Sequence, residues 1–393
     1  MTEQERCVIN LIKAAIVGEG AAVSVDNEAA LLRLASMHQI HSLLCYGILE
    51  SKTVVSADCL EKLQTETIKN AALDERQRYD YETIASSFEA EGIEYLPLKG
   101  IELKRLYPKS EMRPMSDIDI LIRTEQYKKA AKVMSALGYT EEVESDHEWI
   151  WNKTDATAIE LHRRLIPSYN KDFYASFGEG WQLAVQSDNN KYRYHLEVNE
   201  NFYYLFTHFA KHYRDGGIGI RHITDLWVYM LKTPSLDKEK VRQMLTEVKL
   251  DQFFDNTLKT IAVWFDDAPS DEVADAITRH ILLSGSYGKT ENKALSAAVK
   301  SEISAGTAKG TRFRMLWNTV FLPYKHMCKK YPSLKKCPIL LPLFWFVRII
   351  DVLLHKPDAI KKKQNEFKNI TSQNIEDYHN SLKLVGLDYN FKE

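Results

Sequence analysis

Residues 92–122 read GIEYLPLKGIELKRLYPKSEMRPMSDIDILI. Ile93–Leu98 is a short run of β-favouring residues stopped by Lys99-Gly100, after which Ile101–Tyr107 takes up helical spacing. Pro108–Ser116 is turn-like, and Ile118–Ile122 reads as a second strand. A strand therefore turns into a helix through glycine, and another strand follows.

Working outward, Thr124 is placed to cap a helix running to Leu137 before Gly138. Tyr139–Ser145, Glu148–Asn152 and Ala156–Leu165 then read as strands, the last alternating as Ile159, Glu160, Leu161, His162. On the other side, residues 1–91 read as helix throughout. Ala57–Glu91 lacks Pro and Gly and ends at Gly92, a natural C-cap, so it is expected to be one long helix. Polar Gln186–Arg193 is expected to be a loop, after which Glu200–Lys211 and Arg221–Leu231 return to helical spacing. Gly285–Gly288 and Ser301–Gly310 are the expected mobile loops. The fold class expected is α+β: a small mixed-sheet domain over 92–185, flanked by helical regions over 1–91 and 186–393.

Composition bounds the rest. A chain of 393 residues that is 45% hydrophobic and 27% charged carries enough apolar surface to offset ordering entropy, which excludes wholesale disorder. Lys plus Arg (52) nearly balance Asp plus Glu (54), so no overall field draws the chain to nucleic acid or anionic lipid, and any such contact must be local. The basic run Lys325, Lys329, Lys330, Lys335 and Lys336, interleaved with Tyr324 and Tyr331, is where nucleic acid would be met. Such a run is more often a solvated face, and nucleic acid is not favoured. Five scattered cysteines without a C-x-x-C pair suit a reducing compartment, and Met1–Ala22 mixes charges into its apolar residues, so a cytoplasmic location is expected. Pro338–Leu354 is the most apolar stretch, but Pro342, Arg348 and Asp351 interrupt it. It is expected to be a core helix and no membrane span, with an interfacial helix as the lesser reading.

The chemistry gathers on the strands. Residues i and i+2 share a strand face, so Asp117 and Asp119 project side by side while Ile118 and Ile120 point to the core. Close carboxylates repel, and a pair kept ionised needs a cation. Oxygen ligands suit Mg²⁺ or Mn²⁺. If Glu160 shares that face from a neighbouring strand, three acids are in place for two metal ions and in-line phosphoryl chemistry. An Asp-x-Asp pair alone is more often a solvated edge. The preceding glycine turn makes this one more specific, because glycine lets backbone N–H groups approach a phosphate at a helix N-terminus.

Leu98-Lys99-Gly100, Arg113-Pro114-Met115-Ser116-Asp117-Ile118-Asp119 and Glu160-Leu161-His162 resemble a bacterial group of uncharacterised nucleotidyltransferases within the superfamily typified by DNA polymerase β. The resemblance implies that Asp117, Asp119 and Glu160 are catalytic and hold the two ions. It also implies that Glu160 orients or deprotonates an acceptor hydroxyl, and that a nucleoside triphosphate gives up its nucleoside monophosphate with release of pyrophosphate. The acceptor is unidentified, a metabolite, sugar, peptide or protein hydroxyl serving equally. Lys99, Gly100, Arg113 and Ser116 would line the nucleotide. The superfamily usually has Gly-Ser or Gly-Gly in the first turn, where this chain has Lys99-Gly100. Lys99 is thus either a phosphate ligand or a structural lysine, and a non-catalytic nucleotide-binding protein that keeps the fold is the alternative. A glycosyltransferase reading of Asp-x-Asp would need a larger doubly wound domain.

Four further residues have two readings each. Arg113 is a phosphate fork, or the salt-bridge partner of an acid. His162 shares the face of Glu160 and bonds to the site or orients Glu160. His208 and His212, spaced i, i+4, are placed with Arg221 and Asp225 either to close the nucleotide cleft from the helical side or simply to pack. The pair lacks the glutamate of H-E-x-x-H, which disfavours zinc.

Overall fold

The structure is a computed structural model and describes residues 1–286, 288–305, 317, 320–355 and 370–389. The fold is mixed, with a seven-stranded sheet flanked by helices. Two compact units are present. The first comprises Met1–His212, Ile218–Ser286 and Val385–Glu393, and the second Tyr213–Gly217 with Tyr287–Leu384.

In the first unit four helices, α1 (Glu3–Val17), α2 (Glu28–His38), α3 (His41–Ser51) and α4 (Ala57–Ala90), precede the sheet. The uninterrupted α4 ends where Gly92 takes φ +66°, a conformation that costs glycine little. Then come β1 (Tyr95–Pro97), the short α5 (Gly100–Leu103), β2 (Asp117–Ile122), α6 (Tyr127–Ala136), β3 (Thr140–Glu144), β4 (Glu148–Asn152) and β5 (Ala158–His162). With β6 (Ala184–Ser187) and β7 (Asn190–Leu196), the sheet order is β3-β4-β5-β2-β1-β7-β6, parallel between β2 and β5 and between β1 and β7 and antiparallel elsewhere.

The residues expected to form a loop at Gln186–Arg193 lie instead in a hairpin of β6 (Ala184–Ser187) and β7 (Asn190–Leu196). Its strands are polar because most of their residues are only partly covered, so apolar alternation was no guide. The sheet therefore extends past residue 185.

Strand alternation divides β2 and β5 into two faces. Ile118, Ile120, Ile122, Ile159 and Leu161 are fully buried against Ile84 and Phe88 of α4 and Ala130 and Met134 of α6, forming the core. Asp117, Asp119, Glu160 and His162 take the opposite face, which positions the site. Helices α7 (Lys171–Phe177), α8 (Val198–Asp215), α9 (Ile220–Lys232), α10 (Lys238–Glu247), α11 (Asp251–Phe265) and α12 (Glu272–Ser284) follow.

The second unit contains α13 (Thr290–Ala305), α14 (Tyr324–Lys330), α15 (Leu341–His355) and α16 (Ser372–Leu384). Of the expected mobile loop over 301–310, residues 301–305 end α13, and 306–310 lie outside the described residues. The expected core helix over 338–354 forms as α15, but none of its residues is buried. Among the described residues, one side of it packs on protein, through Leu341, Phe344 and Trp345. Together with the preceding turn, Pro338–His355 is long and apolar enough, by length and composition, to cross a membrane.

Candidate active site

The parallel pairing of β2 and β5 places Asp119 opposite Glu160 and Leu121 opposite His162. Partners in such a register share a face, so the condition set by the sequence for Glu160 is met. Oδ1 of Asp119 accepts hydrogen bonds from Lys99 Nζ at 3.0 Å and His162 Nε2 at 2.7 Å. Nε2 of His162 also lies 3.5 Å from Oε2 of Glu160. Asp119, Glu160 and His162 each offer a ligand atom within 4.8 Å of the others.

Charge in this group is unevenly held. Burial opposes ionisation of Asp119, but Lys99 and the bonded His162 outweigh it and hold its carboxyl well below the usual range. Burial likewise opposes the charge on Lys99 and on His162, and in both cases Asp119 prevails and the pKa rises. Asp117 behaves oppositely. Burial, then Asp119, then Glu160 push it up to about 6, against Lys99 and the Ser116 hydroxyl. Asp119 is thus held by bonds from Lys99 and His162, while Asp117 feels the two neighbouring acids more than it feels Lys99.

The first turn departs from helical geometry at Lys99, which has φ +44°. A side chain there is strained, because this region favours glycine. At Gly100, next in sequence, an added Cβ would lie 2.7 Å from Met115 Sδ and 3.0 Å from an Arg113 guanidinium nitrogen. A side chain there would have to displace the ends of the Met115 and Arg113 side chains. The loop before β2 is anchored by Gln77, whose amide donates to the Met115 carbonyl at 2.7 Å. The start of β5 is held by Asp80, which accepts from the Thr157 N–H at 2.8 Å.

Other sequence candidates are placed as follows. Arg113 is buried and gives its fork to Asp225, Nε to Oδ1 at 2.8 Å and the second nitrogen to Oδ2 at 2.9 Å, while the Tyr107 hydroxyl donates to the same Oδ1 at 2.7 Å. Of its two readings, the salt bridge is the arrangement observed, and Asp225 is correspondingly engaged by Arg113 and Tyr107. A guanidinium enclosed in a low-dielectric interior needs a paired carboxylate, which accounts for the choice. Ser116 is exposed beside Asp117. His208 and His212 meet at 3.0 Å between their Nε2 atoms. Burial, followed by Lys99 and His212, drives His208 well below the usual histidine range, which brings it into the field of the site.

Two residues join the group without a sequence signal. Tyr204, on α8, is fully buried, and its phenol is pushed up by burial against the opposing pull of Lys99. Glu148, on β4, pairs in register with His162 and lies 2.8 Å from His147. Burial raises its carboxyl, but His147, His162 and Lys99 bring it below its ordinary value. Both sit in segments that read only as periodic helix or strand.

The donor set fits a divalent cation. Two carboxylates, Asp119 and Glu160, offer oxygen ligands beside the His162 imidazole, and among the described residues Asp119 Oδ2 has no hydrogen bond and the buried Nδ1 of His162 has no partner. A cation at Oδ1 of Asp119 would compete with the Lys99 ammonium bonded there.

No curated protein matches the chain. Among solved structures, the chain is similar to the solution structure of the antibiotic-resistance factor ANT(2'')-Ia, for which substrate-regulated conformation dynamics are described, at 12% identity and a TM-score of 0.34. That similarity covers 44% of this chain and 91% of the other. A family profile described as an uncharacterised nucleotidyltransferase matches residues 24–266, which span β1 to β7 and every acid of the site, and the chain belongs to that family.

Proposed function

We propose that the protein is a metal-dependent nucleotidyltransferase that moves a nucleoside monophosphate from a nucleoside triphosphate to a hydroxyl acceptor. The observation that carries this reading is the β2–β5 register, which gathers Asp117, Asp119 and Glu160 at one place on the sheet. Mg²⁺ or Mn²⁺ bound there would neutralise phosphate charge and acidify the attacking hydroxyl.

The chain's own residues do the rest. Asp117 and Asp119 would hold the cation. Glu160, on the neighbouring strand, accepts the acceptor's proton as its oxygen bonds to the α-phosphorus and the bond to the β-phosphate oxygen breaks, pyrophosphate leaving. Lys99 moves from Asp119 to the β- or γ-phosphate, exchanging one anionic partner for another, and Gly100 permits close backbone approach. His162 keeps Asp119 ionised and oriented. Ser116 borders the nucleotide beside Asp117, and His208 and His212 close the helical side. With partners aligned, positioning supplies most of the acceleration.

The Lys99–Asp119 pair favours a second reading, a nucleotide-binding protein without catalysis, because the ammonium already neutralises the acid a cation would need. Pyrophosphate release and transfer of α-phosphate label, measured with each NTP, Mg²⁺ or Mn²⁺ and a panel of hydroxyl acceptors, distinguish the two. Label transfer lost in Asp117→Asn and Asp119→Asn supports the transferase. Binding without pyrophosphate release across the panel supports the binder.

A further inference from the structure

We propose that α15 is a peripheral docking surface for an anionic lipid bilayer, lying in the headgroup interface with its free apolar side inserted. The helix has two unlike sides. On one, Leu341, Phe344 and Trp345 pack on a small core of Met327, Cys328 and Leu334, and the Trp345 indole N–H donates to the Leu322 carbonyl at 2.9 Å. Arg348 donates to the Val320 carbonyl at 3.0 Å, and Asp351 is paired with Lys330 at 2.8 Å. The polar groups that interrupt the apolar sequence are therefore turned toward protein and satisfied there.

The other side is apolar and uncovered. Leu343, Phe346, Ile350, Leu353 and Leu354 recur at helical spacing and are 56, 63, 56, 59 and 70% exposed, with Ile339 at 84% just before the helix. A continuous stripe of this kind on a water-facing helix marks an interaction surface.

Charge identifies the occupant. Residues 321–355 carry six Lys and Arg against one acid, in a chain whose net charge is −2. Exposed Lys335 and Lys336 sit immediately before the helix, and the sequence places Lys361-Lys362-Lys363 shortly after its end. An apolar stripe bounded by lysines matches a surface that is hydrocarbon in its interior and anionic at its face, where each lysine adds attraction and the apolar side chains insert. A protein partner of opposite charge would match the lysines but gives no reason for so continuous an apolar stripe. The helix lies flat because one side is already packed on protein.

Co-sedimentation of the full chain with phosphatidylcholine vesicles, and with vesicles that also contain phosphatidylglycerol, tests the proposal. Binding to the anionic vesicles is expected to exceed that to the neutral ones by about tenfold or more and to weaken with salt. Phe346→Asp with Leu353→Asp is expected to abolish it, and Lys335→Glu with Lys336→Glu to reduce it about tenfold. These side chains are exposed, so circular dichroism of every variant should match the parent. A Phe346→Trp variant should shift its emission to the blue on the anionic vesicles. Absence of vesicle binding, equal binding to both compositions, or a dimer in solution dissolved by the Phe346 and Leu353 substitutions would each overturn the proposal, the last by assigning the stripe to a second copy.

Discussion

The ammonium of Lys99 lies 3.0 Å from Oδ1 of Asp119, and it is delivered there by a backbone at φ +44°, a conformation glycine would adopt without strain. A strained residue at a cluster of acids is a device that surrounding structure maintains. In Lys99→Gly the strain is relieved but Asp119 keeps a buried charge with one cationic partner fewer. The variant is expected to melt lower than the parent without divalent ions and to gain more in Tm than the parent when Mg²⁺ is added. Mn²⁺ alone should bind it about tenfold more tightly, since no ammonium competes for Oδ1. Equal Mn²⁺ affinity in the two proteins would remove Lys99 from competition with the cation.

Arg113 and Asp225 bear on stability. Removing one partner of a buried, doubly bonded pair leaves an unpaired charge, and Arg113→Ala is expected to cost about 3–5 kcal/mol in denaturant unfolding. Arg113→Lys should also lose stability, because an ammonium cannot make the fork. At temperatures where the lysine variant is folded, its NTP affinity should equal that of the parent. A large drop in NTP affinity with unchanged stability would restore Arg113 to the phosphate.

Asp117 sets a pH dependence. Its pKa is about 6 in the folded protein against an ordinary 3.8, so between these values the folded state binds more protons than the unfolded. Stability without metal is therefore expected to fall as pH rises through that window, then level off above it. Divalent binding should run the other way, strengthening toward pH 7 with release of a proton. Asp117→Asn should flatten the first trend, as read by Tm across pH. A parent protein equally stable at both ends of the window would contradict the shift.

Much of this site was legible because strand periodicity is strict. Ile118 and Ile120 had to face the core, which put Asp117 and Asp119 on the other face, and the alternation of Ile159 to His162 did the same for Glu160. The strand partner of β2 was not legible, because pairing between distant segments leaves no local pattern. Lys99 presented two readings for a related reason: its ion pair depends on where β1 ends relative to β2. The fork of Arg113 found an acid on α9, and a sequence separation of 112 residues hides such a pair. For α15, apolar composition suggested burial, but whether a helix is covered depends on what surrounds it.

The central claim is that Asp119 and its neighbours hold a nucleotide through a divalent cation. Calorimetric titration of each NTP into the full chain, with and without Mn²⁺, compared with Asp119→Asn, tests it most directly. The account predicts NTP binding that requires the ion in the parent and is lost in a variant that remains folded. Binding of equal strength in both proteins, or without the ion, would contradict it.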